Sequence, residues 1–350
     1  MEVDFLLVGQ GLAGTVLSHQ LITGGYTVHL IDMPAENKSS RVAAGLYNPI
    51  TGKKMVKTWN ADQLFPVIEP FYEGLEKLLG VQFLHKRPIY RPFLNVEELN
   101  EWMGFSGDKG FEPYIEKIVD RPLFEEVQND FGGVLLKNSG FLDLNTLLDT
   151  YSKWLLQKNM LSEKKFEERN LNFERGYVAY GDIRAKSLIY ANGLGAMKSG
   201  FFDGLPFAPV KGEILTIEQS FTPYEIINRG VFRISLPDGN VKVGSTYSWH
   251  DLEKGISEKA KMEILEKHHK LIKNKDYKLI QHEFGIRPAT KDRKPFLGKH
   301  PKHENVYLFN GFGAKGVSLA PYYSKVMTEL LTNDKEPPLD VNVKRFFSYI

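Results

Sequence analysis

The order of apolar and polar positions sorts most of this chain into short strands and one-sided helices. Residues 3–8 (VDFLLV) form an apolar run that stops at Gly9, the pattern of a buried parallel strand. Over residues 12–22, Ala13, Val16, Leu17 and Leu21 share one helical face, and Gly24 and Gly25 end the run. A second strand over 26–31 leads into Asp32, completing a strand–helix–strand opening. Helical spacing returns at 62–79 through Leu64, Ile68, Phe71, Leu75 and Leu78, then at 96–103, 144–156, 258–272 and 317–331. Residues 187–190 read as a strand entering Ala191-Asn192-Gly193, and residues 306–309 as a strand entering a glycine loop. Between 210 and 247 the pattern is strand-rich, with a hairpin turn at Pro237-Asp238-Gly239-Asn240. No repeat or low-complexity segment interrupts this.

Gly9-Gln10-Gly11-Leu12-Ala13-Gly14 reads G-x-G-x-x-G, and it lies between a strand and a helix, the context that gives the pattern meaning. Gly9 permits the tight turn, Gly11 lets backbone approach a diphosphate, and Gly14 lets helix and strand close on each other. The amides of Leu12 and Ala13 open the helix, whose N-terminus offers free N–H groups and partial positive charge. Asp32 supplies a carboxylate for ribose hydroxyls and would repel a 2′-phosphate, which disfavours NADP. These residues do not separate FAD from NAD.

The expected fold is therefore α/β. A Rossmann-type domain with a parallel sheet occupies residues 1–80, 141–208 and 285–350. An α+β substrate domain with an antiparallel sheet occupies 81–140 and 209–284. A length of 350 residues suits two domains.

Composition narrows the chemistry. With no cysteine there is no disulfide, no zinc-thiolate site, no cysteine nucleophile and no thioether link to a cofactor. A formal charge of +2 is too small to argue for nucleic acid or an anionic membrane, although Lys53, Lys54 and Lys57 cluster locally. No segment approaches the roughly 20 apolar residues needed to span a bilayer, and the expected compartment is the cytoplasm. His268 and His269 diverge on one helix, and His300 and His303 flank a proline, so no metal site is expected.

After the second strand comes Ser39-Ser40-Arg41-Val42-Ala43-Ala44-Gly45-Leu46-Tyr47-Asn48-Pro49. Three further blocks follow: Pro209-Val210-Lys211-Gly212-Glu213, Gly285-Ile286-Arg287-Pro288, and Gly311-Phe312-Gly313-Ala314-Lys315-Gly316 with Leu319-Ala320-Pro321. In this order they resemble the D-amino-acid oxidase superfamily, which includes glycine and sarcosine oxidases. The stretch 44–49 and the pair Ala314-Lys315 are also similar to the oxidase domain of the bacterial enzyme that matures carboxymethylaminomethyl-uridine in tRNA; its methyltransferase domain has no counterpart here.

The resemblance implies non-covalent FAD rather than NAD. It places Ser39, Ser40 and Arg41 near phosphate or ribose oxygens. Ala44, Gly45 and Leu46 then lie beside the flavin ring, with Asn192, Gly193 and the 311–316 loop also on the cofactor. Arg287 is expected to hold a substrate carboxylate through its planar fork; an internal ion pair is the alternative. Lys315, with the amides of its loop, would favour negative charge on reduced flavin. Phe232 falls where glycine oxidases carry a substrate-contacting tyrosine, which argues against glycine itself. Tyr247 is either a pocket wall or a core aromatic, and Trp249 and His250 are similarly ambiguous.

The expected activity is oxidation of a small, glycine-like amine by hydride transfer to flavin N5, the imine then hydrolysing. The alternatives are an RNA-directed flavoenzyme, for which a basic rim including Lys53, Lys54 and Lys57 would be needed, and an NAD-dependent or non-catalytic dinucleotide-binding protein. A small-molecule amine is the expected partner; nucleic acid is possible but not favoured, no membrane is involved, and the sequence does not give the oligomeric state.

Overall fold

The computed structural model describes residues 1–33, 39–52 and 56–349. Two large sheets carry the fold. The first is a mixed sheet whose centre is the buried strand Glu2–Val8, paired in parallel with Val28–Asp32 on one side and Ile183–Tyr190 on the other. Leu161–Glu163 extends it in parallel beyond Val28–Asp32. Ile183–Tyr190 is long enough to hold two partners on its far edge. Its first half pairs antiparallel with Tyr177–Tyr180, and its second half pairs in parallel with Val306–Asn310. Leu6, Leu7, Leu30, Ile31, Leu188, Ile189 and Leu308 are all fully buried, which is why these strands read as unbroken apolar runs.

The second sheet is eight-stranded and almost wholly antiparallel. Val210–Glu218 lies between the edge strand Lys278–Arg287 and Val241–Gly244; Val231–Ser235, Ile226–Arg229, Ile89–Pro92, Gly133–Leu136 and Ile115–Val119 follow in order. One face is covered by the helix Glu258–Leu271, which buries Ile264, Leu265 and Leu271 against Leu215, Ile217, Val241 and Val243. The other face turns toward the first sheet. A small third sheet, Leu46–Tyr47, Gly140–Leu142 and Leu84–Lys86, joins the two.

The helices follow the predicted stripes with shifted ends. The first is Leu12–Thr23, and the strand after it starts at Val28 rather than 26. The reason is local: Tyr26 N–H donates back to Leu21 O at 3.1 Å, closing the helix terminus, so Tyr26 is unavailable to the sheet. Ala61–Leu79 buries Leu64, Ile68, Tyr72 and Leu75. Tyr72 donates to Val317 O at 3.1 Å, fixing this helix against the start of Gly316–Asn333. Among the described residues, no helix is long and apolar enough to cross a membrane.

Candidate active site

Three strand ends of the first sheet meet in one crevice. Gly9 N–H donates to Ile31 O at 2.9 Å, and Ala191 N–H donates to Val8 O at 2.9 Å, so the turns after three neighbouring strands are locked together. In open α/β sheets ligands bind outside such carboxyl ends. Gly9 has φ +102°, and a Cβ there would stand 2.7 Å from Asn192 Cα. A Cβ at Gly14 would lie 1.8 Å from Gly9 O, so the helix can start directly on the turn only because neither residue has a side chain. Ser40 closes the far side, its Oγ accepting from Leu12 N–H at 3.1 Å. Asp32 ends its strand at the same rim.

A second helix begins in the same place. A Cβ on Gly316 would be 3.1 Å from Leu12 Cδ2, so the N-termini of Leu12–Thr23 and Gly316–Asn333 adjoin. Neither first turn contains an acidic residue, and neither N-cap, Gly11 or Lys315, supplies a side-chain cap. Two positive helix ends therefore face one crevice with their charge uncompensated by local acids. Its glycines Gly311 (φ +78°) and Gly313 (φ +54°) shape the approach to the second helix past Phe312 and Ala314. Asn310 Nδ2 donates to Gly193 O at 2.9 Å and joins this loop to the 192–193 turn. Asn192 Oδ1 is buried and unpartnered among the described residues. A bare glycine turn and two adjoining helix N-termini fit an anionic diphosphate, and a buried acceptor awaiting a donor fits a sugar hydroxyl of the same dinucleotide.

The remaining predicted contacts are more mixed. Ser39 donates to Ile286 O, so its hydroxyl ties the short helix Ser39–Val42 to the edge strand. Arg41, half-buried, pairs with the exposed Asp149 at 2.7 Å, a weak pair. Gly45 has φ +70°, and a Cβ there would stand 2.0 Å from Leu142 O; its lack of a side chain is needed for sheet packing. Ala44 and Leu46 flank it, both half-buried. Burial lowers the Lys315 ammonium pKa, with Arg293 adding repulsion.

The face of the second sheet toward this crevice carries the other candidates. Residues opposite each other across strands share a face, as do residues two apart on one strand. Phe232 pairs with Gly244, Gly244 with Ile214, Gly212 with Gly285 and Val210 with Arg287, so all lie on one face. The Arg287 guanidinium folds across Gly212, where a Cβ would be 2.1 Å from Nη2. Nη2 donates to Ser245 Oγ at 2.7 Å, Nη1 donates to Thr246 O at 3.3 Å, and the ring of Tyr247 lies 4.4 Å from the guanidinium carbon. Burial pulls the Arg287 pKa down, partly offset by Tyr247. Among the described residues no carboxylate pairs with it, so the internal ion pair considered from sequence is not present. Directly after it, Pro288 O accepts from Gly313 N–H at 3.2 Å, which brings the arginine strand to the glycine loop.

Tyr247 is 56% exposed and Trp249 60% exposed, so neither is a core aromatic. Lys57 sits 2.8 Å from Asp62 Oδ2 and donates to Gly110 O, so its charge is paired locally in this structure. Lys53 and Lys54 lie outside the described residues. Sequence reasoning missed Ser245, Thr246 and the purpose of Gly212. It also missed Arg91, buried on the same sheet face as Phe232, donating to Gly52 O at 2.8 Å, with its pKa lowered to about 10 by burial and by Arg229. Only the Pro-Val-Lys-Gly-Glu block signalled any of these.

The fold, a Rossmann-type crevice facing an antiparallel sheet, defines a dinucleotide-dependent oxidoreductase of the flavoprotein kind. The family model described as FAD dependent oxidoreductase (DAO) matches residues 4–330, and the chain belongs to that family. Its cofactor is FAD. Glycine oxidase of Pseudomonas aeruginosa is 26% identical over 364 residues, covering 97% of each chain. The bifunctional protein for tRNA 5-methylaminomethyl-2-thiouridine biosynthesis of Legionella pneumophila is 20% identical, across 95% of this chain and 55% of that protein. Among solved structures, glycine oxidase of Bacillus cereus shares the fold with a TM-score of 0.79 at 18% identity, covering 96% of this chain and 99% of that one. Iminodiacetate oxidase of Chelativorans sp. shares it at 0.78 and 18%, covering 98% of both.

Proposed function

We propose that this flavoenzyme oxidises a small amine bearing a carboxylate, glycine-like in its reacting CH–NH group, to an imine that water hydrolyses. The observation that carries this reading is Arg287. A half-buried guanidinium without a carboxylate partner among the described residues is costly, and its lowered pKa expresses that cost. A substrate carboxylate would supply the missing charge through two parallel hydrogen bonds. Ser245 and Thr246 hold the fork in place, Tyr247 shields one side, and Phe232 lends an apolar wall without a hydroxyl. Pro288 and Gly313 join the carboxylate end of the pocket to the loop on which the cofactor would rest.

Bound FAD supplies the two-electron acceptor. The chain's part is orientation, with Arg287 fixing the carboxylate so that the neighbouring C–H faces the acceptor. Leu12, Ala13, Ser40 and the Asn192–Gly193 turn would hold the diphosphate end, and the start of Gly316–Asn333 would favour negative charge at the ring end. Non-covalent attachment accords with the absence of cysteine.

Arg287→Ala should raise KM for carboxylate-bearing amines about a hundredfold or more while FAD content stays unchanged. An unchanged KM would remove the assignment. Anaerobic bleaching of the flavin by glycine, sarcosine, proline, D-alanine and carboxymethylaminomethyl-uridine would rank the substrates, and no bleaching by any carboxylate amine would overturn the reading.

A further inference from the structure

Arg287 is aimed by a loop, and that loop is held at both ends by one residue. Residues 245–257 leave the strand Val241–Gly244 and return at Ser257, the N-cap of Glu258–Leu271. At the start of the loop, Glu213 N–H donates to Thr246 Oγ1 at 2.9 Å, and Thr246 N–H donates to Glu213 O at 3.3 Å. At its end, the Glu213 carboxylate accepts from Ser257 N–H at 2.8 Å and from Ser257 Oγ at 2.9 Å. Between these points Tyr247, Trp249 and Ile256 are at least half exposed, so little packing fixes the loop. Backbone bonds between Lys211 and Ser248, at 2.8 and 2.9 Å, add a third fastening on the same strand as Glu213.

We infer that Glu213 is a positioning residue for Arg287: its backbone and its buried carboxylate clip both ends of the 245–257 loop, whose Ser245 and Thr246 orient the guanidinium. The carboxylate is only 3% exposed and is well compensated. Lys211 Nζ stands 3.1 Å from Oε1, so with the two Ser257 donors three partners hold the two oxygens, while His282 Nε2 lies 2.8 Å from Oε2 without a hydrogen bond. An acid bound by both Ser257 donors and paired with Lys211 is held in place, and removing it leaves Lys211 buried without its counter-charge. Glu213 faces away from the crevice, on the side of the sheet opposite Gly212 and Ile214. It therefore touches no substrate and acts only through the loop.

The inference rests on the assignment of Arg287 to the substrate carboxylate, and the test separates the two. Glu213→Ala should raise KM for the carboxylate amine about tenfold, leave kcat within about threefold and leave FAD content unchanged. Ser257→Ala, a milder change that keeps the fold if Glu213→Ala does not, should raise KM about threefold in the same direction. In an Arg287→Ala background either change should add less than about twofold, because contacts that act through one group are not additive. Glu213 and Ser257 variants that lower only the melting temperature, or whose KM effect persists in full without Arg287, would overturn the inference while leaving Arg287 in place. An unchanged KM in Arg287→Ala alone would sink the carboxylate assignment itself, and the positioning role with it.

Discussion

At Gly212 a methyl group would overlap Nη2 of Arg287 at 2.1 Å, whereas at Gly14 it would overlap backbone, Gly9 O at 1.8 Å. The difference decides what each substitution does. A backbone oxygen cannot move without breaking the turn, but the end of an arginine can swing aside. Gly212→Ala should therefore fold, take up FAD normally and melt within about 1 kcal/mol of the parent, yet raise KM for carboxylate amines about tenfold. Steady-state kinetics with flavin absorbance as control checks this, and an unaltered KM would show that the guanidinium does not need its seat on Gly212. Gly212 stands in the motif at 209–213, so its presence was legible in the sequence. Its reason was not, because the arginine above it is 75 positions away and meets it only through the pairing of Val210 with Arg287.

Among the elements, the two helices that begin at Leu12 and Gly316 carry the most consequence. An acid in a helix's first turn usually stabilises the helix by 0.3–1 kcal/mol at about room temperature and low salt. The same charge opposes a diphosphate. Ala13→Asp should thus weaken FAD binding at least about tenfold, while apoprotein stability changes by no more than about 1 kcal/mol, the gain at the helix end offsetting the cost of a carboxylate beside the core. Equilibrium dialysis of FAD against the apoprotein, with parallel denaturation curves, reads both; equal loss in both would mean that the helix end is not the phosphate site. The dinucleotide helix and its strands were legible because glycines and apolar runs are local signals. The adjoining of the second helix was not, since nothing in 311–316 indicates that Gly316 lies against Leu12.

Across the whole molecule, pH acts through a histidine far from the crevice. His268 is fully buried under the antiparallel sheet, and burial, reinforced by Arg233 and His269, lowers its pKa to about 4. The unfolded chain binds that proton near pH 6.5, before the folded one does. Stability linked to His268 is therefore complete above about pH 6.5 and is lost as pH falls toward about 4, by at most roughly 3 kcal/mol. His19, lowered to about 4 by burial, acts in the same direction. Urea denaturation at pH 7 and pH 5 should show this loss in the parent and a flatter profile in His268→Leu. Identical slopes in the two proteins would show that His268 does not carry it.

By itself the sequence determined the opening strand–helix–strand unit, the longer helices, the glycine turn at Gly9 to Gly14 and the flavoprotein family, because each is written in neighbouring residues or in blocks that keep their order. Only tertiary structure decided the site. It seated Arg287 on Gly212, set Ser245, Thr246 and Tyr247 around it, and tied Lys57 to Asp62, while giving Gly45 a packing duty against Leu142. Those outcomes depend on sheet register and on which strands become neighbours. Register is set by burial of whole faces at once, a property that no single stretch of sequence contains.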